Sequence, residues 1–278
     1  MSRPTALCCI AAVLSCAPPE EKKNYSSDIG IDGVPLEQGD LVGTWAVQKE
    51  FATVITLPIF GRRNAGANGG RIATVTSDGP DRYHVQMRWC WDEIFEVEGT
   101  RNSFTEEALH NLIPQEITFN VIHEGGLIET GQIVDTWGLH NMPNRATDPL
   151  PTKDNYQSPP QSDWVLDEDQ DGNPGVTVHI SGTLEGTGYM VNRTIYAMKG
   201  VARTKDDLVG LMPTESLQQN LLETNTNIPG TNNAETDQEP DPDPKNSWFQ
   251  MVRLAPGSGC DEAIRARDDG RMSRTRPF

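Results

Sequence analysis

At 278 residues the chain is long enough for one large β domain or two small ones. Its 23 Lys+Arg against 40 Asp+Glu give a formal net charge of −17, which argues against nucleic acid or an anionic membrane surface as a direct partner. Glycine at 25 and proline at 20, with 36% hydrophobic residues, suit a turn-rich β protein rather than a helical bundle, and no apolar run reaches the roughly 18 residues of a spanning helix.

Residues 1–15 read as a signal peptide, with Arg3 as a short basic region and an apolar stretch over 7–14. Val13-Leu14-Ser15-Cys16 resembles a bacterial lipobox, which implies cleavage before Cys16 and lipidation of that thiol. Ala17 after it favours the outer membrane. The implied partner is then a membrane, reached by a lipid anchor and not by a spanning segment. An ordinary cleaved signal is the alternative. Residues 16–39 are polar and read as a flexible tether.

Cys8 and Cys9 would leave with the signal, so Cys90 and Cys260 remain. In an oxidising compartment such a pair suggests a disulfide closing a long loop, worth about 2–4 kcal/mol; two unrelated thiols are the alternative. Alternation over 83–91 puts Tyr83, Val85, Met87, Trp89 and Trp91 on one face and His84, Arg88 and Cys90 on the other. A C-terminal segment lying over the second face could reach Cys90.

The folded part, 40–264, is expected to be a single, mainly β domain: an antiparallel sandwich or barrel with short helices and long loops. Leu41–Val47 opens it as a strand, and 52–60, which holds Pro58, is an edge or interrupted strand. The run GRRNAGANGG over 61–70 lacks the spacing of a phosphate-cradling loop and reads as a surface loop. Residues 71–77, 83–91 and 94–98 form a meander. A short helix over 105–112 is capped by Thr105. Strands 115–123 and 127–137 flank the hairpin signal Glu124-Gly125-Gly126. Five prolines mark 138–162 as a long excursion.

The acidic loop Asp167-Glu168-Asp169-Gln170-Asp171-Gly172-Asn173-Pro174-Gly175 follows. Side chains at positions 1, 3 and 5 of such a loop converge on one centre, and glycine at position 6 allows the sharp turn. Asp167, Asp169 and Asp171 fill those positions, and the Asn173 carbonyl would be the position-7 ligand. Glu168 and Gln170 are expected to point outward. Val178 stands where a bidentate Glu would sit, so a weak Ca²⁺ site is expected, on the order of 10⁻⁴ to 10⁻³ M. A solvated acidic turn is the alternative. Val176, Val178 and Ile180 alternate with polar residues as a strand, 182–188 is a glycine-rich turn, and 189–202 returns as one long strand.

Beyond it, leucines after Pro213 point to a helix over 214–223. The acidic, proline-containing stretch 225–246 is expected to be disordered. A last strand spans 248–254 and a short helix 260–267. The tail 265–278 concentrates five arginines against the acidic body, either folded back onto it or free.

The segment DxDxDGxPGVTV, the glycine-rich turn and the strand after it resemble poorly characterised lipoproteins of predatory and soil bacteria such as the myxobacteria. That resemblance implies a class and a location, with no activity attached. Gly43-Thr44-Trp45 is similar to the lipocalin opening, where a tryptophan plugs the base of a barrel.

Five histidines stand without metal-ligand spacing, there is no CxxC, and no GxSxG elbow marks a hydrolase. No catalytic residue is identified. The reading is a lipid-anchored extracytoplasmic β domain that binds a partner or serves envelope structure, not an enzyme. A lipocalin-like carrier of a small hydrophobic ligand and a calcium-stabilised hydrolase of envelope carbohydrate are the alternatives.

Overall fold

The computed structural model describes residues 29–57, 61–225 and 238–278. The signal peptide, Cys16 and residues 226–237 of the acidic stretch lie outside them. In chain order the elements are β1 (Gly43–Leu57), β2 (Gly61–Ser77), β3 (Arg82–Ile94), β4 (Thr100–Ser103), α1 (Glu106–Asn111), β5 (Gln115–Ile122), β6 (Leu127–Thr130) and β7 (Ile133–Trp137). After the long excursion come β8 (Val176–Gly182), β9 (Gly186–Tyr196), β10 (Lys199–Thr204), β11 (Asp207–Leu211), β12 (Thr214–Thr224), β13 (Gln238–Pro240), β14 (Trp248–Arg253) and α2 (Cys260–Asp268).

Eight strands close into an antiparallel barrel in the order β1-β14-β11-β10-β6-β5-β3-β2, and a ladder running the whole length of β1 and β2 joins its two ends. Closure leaves these eight strands no free edge. Of the two expected architectures the barrel is the one formed. Alternate residues point inward: Trp45 and Val47 on β1, Ala73 and Val75 on β2, Tyr83, Val85 and Met87 on β3, Ile117 and Phe119 on β5, Phe249 and Met251 on β14. Large buried side chains fill this interior.

One end is shut by residues 34–41, whose Leu36 and Leu41 join the core under Trp45. The Gly39 N–H donates to the Tyr83 hydroxyl at 2.8 Å, and the Trp45 indole N–H to the Leu41 carbonyl at 2.9 Å. Residues 29–39, placed in the tether by the sequence, therefore lie against the barrel, with Ile29 buried as well.

The other end is covered by a second, five-stranded sheet in the order β12-β9-β8-β4, with β7 also paired to β9. The chain crosses repeatedly between barrel and sheet, among other places from β6 to β7, from β9 to β10 and from β11 to β12. The expected long strand over 189–202 is accordingly two strands. Thr130 fixes one crossing, since its hydroxyl accepts from the Met198 N–H at 2.8 Å while its own N–H donates to the Met198 carbonyl. Residues 138–162 pack on the far face of this sheet through Leu139, Met142, Leu150 and Tyr156 against Val191 and Leu222. Arg193, nearly fully buried, holds the excursion by donating to the carbonyls of Arg145 and Asp148.

Beneath the second sheet the barrel encloses charge. Lys49, wholly buried, donates to Gln115 Oε1 at 2.9 Å and to the Tyr196 hydroxyl at 2.8 Å. Arg71 lies 3.5 Å from an Asp135 oxygen, with its guanidinium 3.5 Å from the centroid of Trp89. Burial, and then the charge of Arg71, hold the Lys49 amine well below its ordinary value.

Several expectations fail here. Residues 61–70 are not a loop but the first half of β2, because aromatic rings supply the cover that glycine lacks. Trp89 lies over Gly69, Trp91 over Gly70 and Phe95 over Gly66. Residues 214–223 are not a helix but β12, paired along β9 through two register shifts. The leucine spacing was a weak local preference, and the open edge of β9 outweighs it. The expected strand over 127–137 is also divided, into β6 of the barrel and β7 of the second sheet; 94–98 is no strand of its own, since β3 ends at Ile94; and 43–57 runs on as the single strand β1. The cap and turn signals match: Thr105 Oγ1 accepts from the Ala108 N–H at 3.0 Å at the start of α1, and Gly126 takes the left-handed turn between β5 and β6.

The structure joins Cys90 and Cys260 by a disulfide. A bulge explains how Cys90 is presented. Gly70 pairs with Trp91 and Arg71 with Trp89, so Cys90 is the extra residue between them. The bulge also turns Trp91 away from the face of Trp89. Trp91 joins Ala46, Ile72 and Val252 under α2, whereas Trp89 packs on α1. The expected single face for both tryptophans is thereby corrected. The tail folds back: Met272 is buried, and the Ser273 N–H donates to Gln250 Oε1 at 2.8 Å.

Candidate metal centre at the acidic loop

The loop is held between the long excursion and β8. The Leu166 N–H donates to the Gly138 carbonyl, the Gly175 N–H to the Leu166 carbonyl, and the Glu168 N–H to the Gly175 carbonyl, all at 3.0–3.1 Å. Gly175 has φ +85, and a Cβ there would fall 2.2 Å from the Met190 carbonyl oxygen, so only glycine lets the loop cross β9 this closely. Gly172 has φ +88, as the expected turn requires.

The three aspartates come together. One oxygen from each of Asp167, Asp169 and Asp171 lies within 4.8 Å of the others. Asp167 accepts from the Asp171 and Gly172 N–H groups at 3.1 and 2.9 Å. Asp171 accepts from the Asn173 N–H at 2.9 Å and from the Thr177 hydroxyl at 2.6 Å. Asp169 is buried, 5% exposed; its Oδ2 accepts from the Thr177 N–H at 2.7 Å, and its Oδ1 is buried with no hydrogen-bond partner.

The electrostatics follow from burial. Burial first, and then the neighbouring Asp171 charge, push the Asp169 carboxyl above its ordinary value against the pull of the Thr177 hydrogen bond. For Asp171 burial also pushes upward, but the bonds from Thr177 and Asn173 outweigh it and hold the carboxyl low. Oxygen donors on three carboxylates are the ligand chemistry of a hard cation such as Ca²⁺. Val178 faces the core at position 12 and offers no ligand. Asn173 donates its N–H into the loop, at the position where its carbonyl was expected to serve.

Glu168 reverses the expectation that it points outward. It is buried, and its two oxygens accept from the backbone N–H groups of Ile113 and Gly138. Those partners are 55 and 30 residues away, so nothing local could have announced the role. Asn111, at the end of α1, donates its side-chain amide to the Asp169 carbonyl at 3.1 Å. Thr177 likewise joins the site only once β8 packs beneath the loop.

No family model matches the chain, and no curated protein matches it. Among solved structures it is similar to DynF from the dynemicin biosynthesis pathway of Micromonospora chersina, at 10% identity and a TM-score of 0.26, over 92% of this chain and 95% of that one. A likeness at that level says nothing about what this chain does.

Proposed function

We propose that this chain is an extracytoplasmic β-barrel protein, tied to the outer membrane by lipid on Cys16, whose acidic loop holds a weak structural Ca²⁺. Its role is binding or envelope structure and not catalysis. The observation that carries the calcium reading is Asp169 Oδ1, a buried carboxylate oxygen with no donor, inside a cluster of three aspartates. A buried, unpaired acceptor costs about 1–3 kcal/mol, and more if charged; a cation or a proton would relieve it. Asp167, Asp169 and Asp171 would hold the ion, and the Asn173 carbonyl would complete the set. Bound there, it would brace the junction of loop, α1 and β8 through Asn111, Glu168 and Thr177.

The experiment is thermal unfolding of the purified protein with millimolar Ca²⁺ and with chelator, beside Asp169→Asn. A calcium-dependent rise in Tm that the variant loses supports the site. No shift at several millimolar leaves an acidic turn. The lipid anchor has its own test: labelled palmitate should enter the wild type and not Cys16→Ser.

A second reading, a lipocalin-like carrier of a small hydrophobic ligand, is favoured by one observation. The Gly43-Thr44-Trp45 opening lies on the first strand of a closed barrel, with the Arg253 guanidinium 4.2 Å from the centroid of Trp45. The ligand would have to displace some of the large side chains that fill the barrel. Saturable binding of a fluorescent fatty acid, quenching the buried tryptophans, would support this reading.

A further inference from the structure

The outer wall of the barrel carries a groove of about 890 Å³, bounded by β1, β2, the turn before β14 and the segment after α2. Its charge runs against that of the molecule. Lys245, Arg267, Arg274 and Arg276 line it against two side-chain carboxylates, Glu50 and Glu93, in a chain of formal charge −17. Arg276 already donates to the main-chain oxygens of Phe278 and Lys245 at 3.2 and 3.3 Å. Arg267 is already matched, donating to Glu93 at 2.8 Å and Asp268 at 3.2 Å over the Trp91 ring. Arg274 is matched only at long range: its side chain is 77% exposed, and its ion pair with Asp268 spans 3.9 Å. Lys245 is exposed and makes no ion pair among the described residues. With so many acids available, an exposed lysine without an ion pair beside a loosely paired arginine in one concave place is the informative exception.

The groove also has an apolar wall. Phe95 is among the few large hydrophobic residues left exposed, held with its ring against the backbone of Gly66. Burial raises the Glu50 carboxyl above its ordinary value, against the pull of hydrogen bonds from Asn68 and Trp248. The volume falls within the roughly 300–1,000 Å³ of small-molecule sites.

We propose that this groove binds a small organic anion with a flat apolar part, its negative group between Lys245 and Arg274 and its ring on Phe95. Two flexible cations flanking an open space suit a carboxylate or sulfonate, which each can meet with a charge-assisted hydrogen bond. The aromatic wall distinguishes such a ligand from inorganic phosphate, which would gain nothing from Phe95. The site is separate from the acidic loop and from the barrel interior, so neither reading above bears on it.

The test uses anilinonaphthalene sulfonate as the probe, followed by its fluorescence against the purified protein at low salt. Saturable one-to-one binding is expected, weakened roughly tenfold by Lys245→Gln with Arg274→Gln, and again by Phe95→Ala. Raising salt to about 0.15 M should weaken the wild type far more than the double variant. Inorganic phosphate should compete poorly. Both cations are exposed, so the charge variants should keep the wild-type Tm, and the single change Arg274→Gln serves if they do not. Absence of saturable binding, or equal binding by wild type and variants, overturns the proposal.

Discussion

Trp91 lies flat on Gly70, its partner across the β2–β3 ladder, so closely that a Cβ on that glycine would fall 2.0 Å from the ring. This pair turns a glycine-rich run into a strand and anchors the bulge that presents Cys90. Gly70→Ala should therefore force the ring and the bulge apart, costing about 2–4 kcal/mol in urea unfolding. Gly131 is the control, because a Cβ there meets nothing within 4 Å. Gly131→Ala should be neutral or slightly stabilising.

The disulfide ties the first residue of α2 to β3 across a sequence separation of 170. Replacing both Cys90 and Cys260 by Ser should lower stability by about 2–5 kcal/mol. A reductant should lower the Tm of the wild type and leave that of the double variant unchanged. Differential scanning with and without dithiothreitol distinguishes these outcomes.

Burial pushes the Asp92 carboxyl up to about 7, against the pull of Arg71. Since the folded value lies above the ordinary 3.8, the stability contributed by the neutral form is fully present below about 3.8. It is lost as pH rises through about 7. Asp92→Asn should thus match the wild type near pH 4 and exceed it by roughly 1–3 kcal/mol above pH 8, the full linkage being discounted for partial exposure. Urea midpoints measured across that range, compared as variant minus wild type, isolate this group from the other acids.

Glu168 ties the excursion to Ile113, two residues past the end of α1, through two backbone amides. Glu168→Gln keeps the shape but sets an N–H against one of those N–H groups. A loss of about 1–3 kcal/mol is expected. Hydrogen exchange should report it locally, with faster exchange at Ile113 and Gly138 and little change in the barrel strands.

Sequence alone determined the elements whose information is local. The alternation of Tyr83, Val85 and Met87 gave one face of a strand; Thr105 and the acids after it marked the start of α1; Glu124-Gly125-Gly126 set a turn; and the spacing of Asp167, Asp169 and Asp171 placed three carboxylates together. Each depends on a few neighbouring residues and on the period of the backbone.

Tertiary structure decided the rest. Residues 61–70 are a strand because Trp89, Trp91 and Phe95 arrive from elsewhere to cover their glycines. Residues 214–223 are a strand because β9 has an edge to fill. The run 189–202 divides because barrel and second sheet claim its two halves. Glu168 turns inward because two distant amides need an acceptor, and Asp169 is left with an unpaired oxygen because β8 packs beneath it. The barrel also depends on the ladder of β1 with β14, which pairs residues from near the two ends of the folded chain. Contacts of that separation write no period into the sequence, so only packing and hydrogen-bond satisfaction across the finished fold could choose them.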